Sequence, residues 1–372
     1  MICPRCANQD ARYFYPIDGK LYCRKCITFG RVFVGETIPF KEVAYSNKAN
    51  YYLGYTLTKE QQTMAKQLVE HYRQKKDSLV KAVCGAGKTE IVYEVIKYAL
   101  NHNQRVCFTT PRTELTKELY QRIIEQFHGV EIVLVCGGHT KQIDGQFVVC
   151  TTHQLFRYPN AFDLLILDEV DAFPYQGDDV LQATLKSSIR GNYIFMSATM
   201  EDAKQEILTL TKRYHGHDMP VPKCTVCSKT MMYFLLVYKL FWYKRNKLPV
   251  LVYVSTIDRT SQIANFINYL QMTSRIVHSK SVDIQESLKL LKIHQIDCII
   301  CTTLLERGIT IDNVQVIVLD GAHPIYDKQT LLQIAGRVGR KIEHPGGDIT
   351  IYTTYKTRAI LQCIQSIQTD NV

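Results

Sequence analysis

The sequence has no apolar run long enough to cross a lipid bilayer. Its longest apolar stretch, residues 231–243, is interrupted by Lys239 and is shorter than the about 20 residues that a spanning helix needs. The chain also lacks a charged opening followed by an apolar segment, so we expect no secretory signal. Its 13 cysteines are then expected to be thiols or metal ligands in a reducing compartment, rather than disulfides.

The sequence has fewer acidic than basic residues. The 35 aspartates and glutamates face 45 lysines and arginines, which gives a formal charge of +10 and a pI of about 8.9. This balance favours a polyanionic partner such as nucleic acid or an anionic membrane face, without choosing between them. The length of 372 residues and the hydrophobic share of 46% predict two medium globular domains.

Residues 82–89 form a glycine-rich turn between a short apolar run and a stretch with helical spacing. They read Ala-Val-Cys-Gly-Ala-Gly-Lys-Thr, with Ala82 where the general phosphate-loop pattern has its first glycine. Backbone N–H groups of such a turn and the following helix N-terminus can cradle phosphates. The pattern predicts that Lys88 reaches the β and γ phosphates of ATP and that the Thr89 hydroxyl holds Mg²⁺. The predicted nucleotide contacts of this loop are Gly85, Ala86, Gly87, Lys88 and Thr89.

Two acidic residues directly follow a buried-looking strand. Leu164 to Leu167 are aliphatic, and Asp168-Glu-Val-Asp171 comes next. Strands alternate with helices here, which predicts a parallel sheet with its chemistry at the carboxyl ends of the strands. We expect Asp168 to hold Mg²⁺ through water and Glu169 to orient and deprotonate the attacking water.

A second alternation of strands and helices begins near residue 220 and contains no phosphate loop. It ends in Gln333-Ile-Ala-Gly-Arg337-Val-Gly-Arg340. Arginines three residues apart share one helix face. Arg337 and Arg340 are therefore candidate arginine fingers, which would stabilise charge on the γ-phosphate in the transition state.

Four cysteines near the N-terminus form two Cys-x-x-Cys pairs, Cys3 with Cys6 and Cys23 with Cys26. Thiolates at this spacing can converge tetrahedrally on one Zn²⁺, and Asp18-Gly19 between the pairs predicts a hairpin turn. A unit this small would take most of its folding energy from the metal. Its basic residues are compatible with a nucleic-acid contact and equally with a solvated face.

The order of these motifs resembles that of superfamily 2 helicases. The matching blocks are residues 82–89, 110–112, 151–154, 168–171, 197–199, 303–310 and 333–340. With the four-cysteine unit in front, the chain is most similar to the ComFA family of competence helicases. The resemblance implies an α/β fold in which two RecA-like parallel-sheet domains in tandem clamp ATP, preceded by a small zinc-binding module. The implied boundaries are a module at 1–35, a linker at 36–55, domain 1 at 56–215 and domain 2 at 216–372.

The resemblance also implies roles for individual residues. The implied contacts with the nucleic-acid backbone are Thr110, Pro111, Arg112, Gly137, Gly138, Thr151, Thr152, Thr303, Glu306, Arg307 and Gly308. Asp171, Ser197 and Thr199 would couple nucleotide state to strand grip, and Gln333 would contact the nucleotide. Gln61 could read the adenine edge or could simply cap its helix with Thr58, and both interpretations stay open. Ile309-Thr310 stands where many relatives have a ribose-binding aspartate, so that contact is not expected.

The implied activity is ATP-driven translocation of single-stranded DNA during DNA uptake in natural transformation, with ATP hydrolysis stimulated by that strand. The implied cofactors are ATP, Mg²⁺ and Zn²⁺. The family works in the cytoplasm, in contact with the competence membrane channel and other competence proteins, so a peripheral position at the inner face of the membrane is expected. Two alternatives stay open: a replication-restart or RNA-remodelling helicase, and an ATP-gated DNA clamp without motor activity. The tetrad Asp-Glu-Val-Asp departs from the Asp-Glu-Ala-Asp class that acts mostly on RNA.

Three further features are interpreted as structural. We expect Cys224 and Cys227 to lie in the interdomain linker without a metal, and Cys298 and Cys301 to be small apolar residues of a buried strand. We expect the aromatics of residues 241–243 to pack on the sheet at the end of an amphipathic helix. With Lys244 and Arg245 they could instead form a stacking surface for bases. The sequence leaves the oligomeric state open.

Overall fold

The computed structural model describes residues 1–36, 43–83, 85–171, 175, 177–198, 206–278, 281, 283–303 and 311–371. The described chain divides into two compact units. The first contains residues 1–82 and 87–210, and the second contains residues 83–86 and 211–372.

Seventeen strands and ten helices alternate along the described residues. The strands are β1 Phe14–Ile17, β2 Lys20–Cys23, β3 Asn50–Tyr51, β4 Ser78–Ala82, β5 Val106–Thr110, β6 Phe127–His128, β7 Ile132–Val135, β8 Phe147–Thr151, β9 Phe162–Asp168, β10 Ile189–Ser197, β11 Ile207–Leu210, β12 Lys223–Val226, β13 Val250–Tyr253, β14 Ser274–Val277, β15 Cys298–Cys301, β16 Gln315–Val318 and β17 Ile349–Thr353. The helices are α1 Lys59–Arg73, α2 Lys88–Ile91, α3 Tyr93–Asn101, α4 Thr113–Gln126, α5 Asp179–Ser188, α6 Lys229–Arg245, α7 Ile257–Tyr269, α8 Ile284–Lys292, α9 Lys328–Ala335 and α10 Arg358–Asp370.

The first unit is built on a seven-stranded sheet in the order β11-β4-β10-β9-β5-β8-β7. All of its neighbouring strands pair in parallel. Every residue of β5 and β8 is buried, as expected for strands covered by helices on both faces. The carboxyl ends of these strands carry the residues from which the nucleotide and nucleic-acid sites were predicted.

The second unit is built on a six-stranded parallel sheet in the order β12-β17-β16-β13-β15-β14. One face packs against α8, α9 and α10 through Leu291, Ile334 and Ile360. The opposite face packs against α6 and α7, with Leu236 and Ile267 in the core. Two tandem parallel-sheet domains are therefore present, which confirms the predicted fold class.

The N-terminal hairpin formed by β1 and β2 is closed by the two-residue turn Asp18-Gly19. Both turn residues have positive φ angles, 48° and 75°. Two-residue hairpin turns with positive φ match the twist of the flanking strands, and Asp-Gly favours them. The predicted turn is confirmed.

The second half of the connector at 36–55 packs on the first unit. β3 pairs antiparallel with β6, and the Tyr51 ring lies 5.5 Å from both the Tyr93 and the Phe127 ring centroids. The Tyr51 hydroxyl donates a hydrogen bond to Glu94 at 2.9 Å. Tyr51 thus anchors the chain before α1.

Helix α6 differs from the prediction for its aromatic end. Tyr243 is buried against the sheet, but Phe241 is 49% exposed and Trp242 is 51% exposed. The expectation that these aromatics all pack on the sheet was wrong. Because both faces of α6 are apolar, the sequence carries no amphipathic pattern that would tell the inner face from the outer one.

The cysteine pairs of the second unit are structural. Cys224 lies in edge strand β12 rather than in a linker, and it packs on the opposite core from Cys227. The two thiols therefore point to different faces of the sheet and cannot share a metal. Cys298 and Cys301 lie in the fully buried strand β15, as predicted.

Candidate nucleotide and nucleic-acid sites

The phosphate loop connects β4 to α2 and depends on left-handed backbone at two glycines. Gly85 and Gly87 have φ angles of +85° and +76°, and Ala86 between them is fully buried. Such conformations cost a non-glycine residue about 1–2 kcal/mol. Gly87 directly precedes α2, so the loop delivers Lys88 and Thr89 as the first helical residues.

Lys88 and the acidic residues after β9 are brought together. The Lys88 Nζ lies 3.8 Å from Asp168 Oδ1. The backbone N–H of Glu169 donates a hydrogen bond to Asp168 Oδ1 at 2.9 Å. Burial raises the pKa of the Asp168 carboxyl, and the Lys88 ammonium opposes this shift.

Glu169 has a φ angle of +60°, which is unusual for a residue with a side chain. Backbone strain of this kind costs on the order of 1–3 kcal/mol and persists only where the surrounding structure enforces it. The left-handed turn redirects the chain immediately after the buried strand β9. It therefore sets the position of the one residue that was predicted to act on water.

Arg122, which sequence reasoning missed, also belongs to this site. Its Nη1 lies 3.4 Å from the Thr89 hydroxyl and 3.8 Å from Glu90 Oε1. Arg122 comes from the middle of α4, 33 residues beyond Thr89, and no local pattern marks it. It holds the hydroxyl that was predicted to bind Mg²⁺.

Gln61 fulfils the capping interpretation. Its side-chain oxygen accepts a hydrogen bond from the Thr58 N–H at 2.9 Å, and its own N–H donates to the Thr58 hydroxyl at 3.2 Å. The Gln61 amide nitrogen is also close to the phosphate loop, because a Cβ added at Gly87 would collide with it. The same side chain therefore closes the first turn of α1 and contacts the loop, while its predicted adenine contact stays a prediction.

The predicted arginine fingers follow α9 in the second unit. Arg337 is 2% exposed and Gln333 is 7% exposed. Arg340 is half-buried, and its Nε donates a hydrogen bond to the Gly336 carbonyl at 2.9 Å. Their action on a phosphate stays a prediction.

A second arginine that sequence reasoning missed, Arg213, holds this same loop. Its Nη1 donates hydrogen bonds to the carbonyls of Val338 at 2.8 Å and Gly339 at 2.5 Å. His215 Nε2 lies 3.0 Å from the Gly339 carbonyl. Arg213 is 2% exposed and 125 residues distant in sequence from Val338, so only the fold reveals the contact.

The predicted strand contacts of the first unit lie on three turns that follow parallel strands. Thr110 ends β5, and its hydroxyl is 2.7 Å from the Thr116 hydroxyl. Gly138, with a φ angle of +82°, lies in the exposed turn after β7. Thr151 ends β8 and Thr152 begins the following 3₁₀ turn. Both side chains are buried, so this segment offers backbone groups rather than hydroxyls to a ligand.

The remaining predicted residues are only partly described. Pro111 is buried between β5 and α4, Arg112 is half-buried and precedes α4, and Gly137 is exposed beside Gly138. Ser197 ends β10 with a buried side chain, Asp171 is half-buried, and Thr303 is half-buried after β15. Four of them, Thr199, Glu306, Arg307 and Gly308, lie outside the described residues, as does Ile309-Thr310.

The four N-terminal cysteines form one buried cluster. Their sulfur atoms all lie within 4.8 Å of one another. Cys3 is 3.7 Å from Cys26 and Cys6 is 3.7 Å from Cys23, sulfur to sulfur. Tetrahedral zinc, with zinc–sulfur bonds of about 2.3 Å, requires sulfur separations of about 3.8 Å. The hydrogen bond between Cys3 and Cys26 lowers the pKa of the Cys3 thiol and raises that of the Cys26 thiol.

Two family models match the two units. The DEAD/DEAH box helicase model matches residues 58–208, and the helicase conserved C-terminal domain model matches residues 232–341. Competence protein ComFA of Bacillus subtilis (strain 168) is 34% identical over 408 residues, covering 99% of this chain and 85% of the relative. The chain belongs to the ComFA family. Competence protein ComFA of Streptococcus pneumoniae (strain ATCC BAA-255 / R6) is 32% identical, covering 100% of this chain and 90% of the relative.

The solved structures agree on the fold. Dbp5 of S. cerevisiae, bound to RNA and ADP BeF3, superimposes with a TM-score of 0.60 at 15% identity, covering 85% of this chain and 92% of that one. This ComFA-family protein is therefore a competence-associated superfamily 2 helicase with two RecA-like domains, a class that uses ATP and usually Mg²⁺. Among the residues that the structure describes, no helix is both long and apolar enough to cross a membrane.

Proposed function

We propose that this protein is an ATP-driven single-stranded DNA translocase that moves incoming DNA during natural transformation. The observation that most directly supports motor activity is the ion pair between Lys88 and Asp168 with Glu169 beside it. A protein that only clamped DNA would need to bind ATP but would not need a water-activating carboxylate.

In this proposal, each candidate nucleotide-site residue of the first unit has its own chemical role. Lys88 and the N–H groups of the loop bind the β and γ phosphates. Thr89, held by Arg122, and Asp168, through water, would hold Mg²⁺, which neutralises phosphate charge when bound. Glu169 orients the attacking water and accepts its proton.

The second unit would complete the catalytic set. We propose that Arg337 and Arg340 stabilise the charge that develops on the γ-phosphate held by the first unit. The Arg213 hydrogen bonds to Val338 and Gly339 fix the backbone between the two arginines and so pre-position them. ATP binding and hydrolysis would alternate the affinities of the two units for the strand and so move it.

One comparison of ATPase rates tests the substrate. Purified protein is assayed without nucleic acid, with single-stranded DNA, with duplex DNA and with RNA, and Lys88→Ala serves as the control for contaminating ATPases. The proposal expects the largest stimulation with single-stranded DNA. Stimulation by RNA alone would favour RNA remodelling. Tight DNA binding with no stimulated turnover would favour the clamp.

We also propose that the protein works in the cytoplasm, next to the competence channel and other competence proteins, and that α6 contacts the inner face of the membrane. The outer face of α6 presents Met231, Phe234, Tyr238 and Trp242, which are 49%, 69%, 71% and 51% exposed. The helix contains no acidic residue and ends in Lys244 and Arg245. An apolar aromatic face flanked by basic residues suits the interface of an anionic bilayer.

Vesicle co-sedimentation tests this contact. The wild type should pellet with vesicles containing anionic phosphatidylglycerol and much less with neutral phosphatidylcholine vesicles. The double variant Phe234→Ser, Trp242→Ser should lose most of this binding, whereas Tyr269→Ser, which removes an 86% exposed tyrosine on α7, should not. Equal pelleting of all three proteins would show that α6 is not the membrane contact.

A further inference from the structure

The outward face of the N-terminal hairpin carries two tyrosines, each with an arginine close to its ring. Tyr15 and Tyr22 are directly opposite each other on β1 and β2. The Arg24 guanidinium lies 4.4 Å from the Tyr15 ring centroid, and the Arg31 guanidinium lies 5.6 Å from that of Tyr22. We call these four residues the hairpin face.

The hairpin face has the chemistry of a surface for unpaired bases. Aromatic rings and guanidinium planes both stack on bases, and each stacked base contributes about 1–3 kcal/mol. Arg24 and Arg31 are exposed, and within the described chain neither forms an ion pair with a carboxylate. By contrast, Arg12 is paired with Asp10 at 2.6 Å and Lys20 with Glu36 at 3.3 Å. Two charges on the face are therefore available to phosphates.

The module that carries this face is fixed to the first unit. The Phe29 ring stacks on Phe156 with centroids 5.0 Å apart, and it lies 6.4 Å from His153. Arg5 is 7% exposed and lies 5.5 Å from the Phe156 ring centroid, and the Ser187 hydroxyl donates a hydrogen bond to the Arg5 carbonyl at 3.0 Å. The module is thus a docked part of the first unit rather than a tethered appendage.

The segment on which the module docks directly follows a predicted strand contact. Phe156 and His153 belong to the 3₁₀ turn Thr152–Arg157, which begins where β8 ends at Thr151. A compact unit of about 35 residues has a radius of gyration of about 9 Å and a diameter of about 22 Å, so the hairpin face lies within about 22 Å of this turn. A strand held at Thr151 and Thr152 would therefore have the module as its neighbour.

We infer that the hairpin face is an additional binding site for single-stranded DNA and extends the strand path beyond the turn at Thr151 and Thr152. Bases stack on Tyr15, Tyr22 and the guanidinium planes, while Arg24 and Arg31 neutralise phosphates. The inference rests on the proposed function, because it assumes that the first unit binds the strand. A metal bound by the four cysteines would then also support strand binding, because the cysteine cluster fixes the hairpin that carries this face.

Paired charge-removing variants test the hairpin face. The test variant is Arg24→Ala, Arg31→Ala, and the matched control is Arg12→Ala, Lys20→Ala, which removes the same charge from the same module. Fluorescence anisotropy measures the affinity for oligothymidylates of increasing length at several salt concentrations. Zinc content is measured for every variant.

For oligomers long enough to span both contacts, the test variant should bind about tenfold more weakly than the wild type. Its salt slope should fall by about 1.4, because each lost phosphate contact to a single strand removes about 0.7. The control should stay within about twofold, and short oligomers should bind all three proteins alike. Equal affinities for the test and control variants at every length would overturn the inference. Failure of the wild type to bind single-stranded DNA would instead overturn the proposed function.

Cross-linking of the wild type provides a second test that no folding defect can affect. Oligothymidylate containing 5-iodouracil is irradiated in complex with the protein, and the linked peptides are mapped by mass spectrometry. Links to Tyr15 or Tyr22 are expected. Links confined to residues outside the module would refute the inference.

Discussion

At the scale of single residues, the nucleotide site depends on three left-handed backbone positions, Gly85 at φ +85°, Gly87 at φ +76° and Glu169 at φ +60°. Glycine adopts this conformation at little cost, whereas Glu169 adopts it against its preference. Strain at a residue with a proposed catalytic role is consistent with selection for position rather than for stability. Gly87 directly precedes Lys88 and Glu169 directly follows Asp168, so each is a sequence neighbour of one residue of the Lys88–Asp168 ion pair.

Gly87→Ala should abolish tight ATP binding. The added Cβ is strained at this φ angle and would also collide with the Gln61 amide. Gly19→Ala is the control, since Gly19 has nearly the same φ of +75° with no neighbour within 4 Å of a Cβ. Titration with a fluorescent ATP analogue should show at least about tenfold weaker binding for Gly87→Ala only. Similar affinities for the two variants would contradict the role of the loop.

Lys88 and Glu169 should separate binding from turnover. Lys88 meets the phosphates in the ground and transition states, so Lys88→Ala should lose both ATP binding and hydrolysis. Glu169→Gln keeps the shape but removes the base, so it should bind ATP and DNA while its turnover falls by at least about 10²-fold. Steady-state ATPase rates and equilibrium ATP binding give the two readouts. Normal turnover by Glu169→Gln would assign the base to another residue.

At the scale of elements, the N-terminal module is held by its four-cysteine cluster and by contacts with the rest of the first unit. Cys3, Cys6, Cys23 and Cys26 supply most of its buried core, with Phe14 as their main apolar neighbour. A core this small cannot stabilise a fold without a metal. The large cores of the two parallel sheets do not include these cysteines.

Cys23→Ser should therefore remove the metal and unfold the module while leaving the ATPase core folded. Elemental analysis should find about one Zn²⁺ per wild-type chain and much less in the variant. Basal ATPase activity and the main thermal transition should persist. Cys363→Ser, which changes a buried cysteine of the second unit, should keep its zinc. An unchanged zinc content in Cys23→Ser would refute the ligand assignment.

At the scale of the whole molecule, the features that could be predicted from the sequence are those marked by a pattern of neighbouring residues. Parallel strands buried on both faces, such as β8, are continuous apolar runs, and the phosphate loop is contiguous in sequence. Arg122 and Arg213 were missed because their partners lie 33 and 125 residues away. The exposed face of α6 was missed because both sides of that helix are apolar.

The charge of +10 should make strand binding strongly dependent on salt and nearly independent of sequence. If Arg112 contacts a phosphate, Arg112→Ala should weaken binding to all sequences alike and lower the salt slope by about 0.7. Arg73→Ala, which removes an exposed arginine from α1, is the control of equal charge. Dissociation constants for several oligonucleotide sequences at several salt concentrations check this. A loss confined to some sequences would mean that Arg112 reads bases.

Uptake in transformable cells distinguishes a motor from a clamp at the level of the whole protein. Cells whose only gene copy encodes Glu169→Gln should bind labelled DNA at the surface but fail to internalise it. The variant binds ATP and DNA but does not complete the ATP hydrolysis cycle. Arg340→Ala should fail in the same way, since a finger acts mainly on transition-state charge. Glu70→Gln, an exposed change on α1, controls for expression and for the loss of a carboxylate. If Glu169→Gln supported normal internalisation at equal protein levels, hydrolysis would be dispensable for uptake, and the protein would be an ATP-gated clamp.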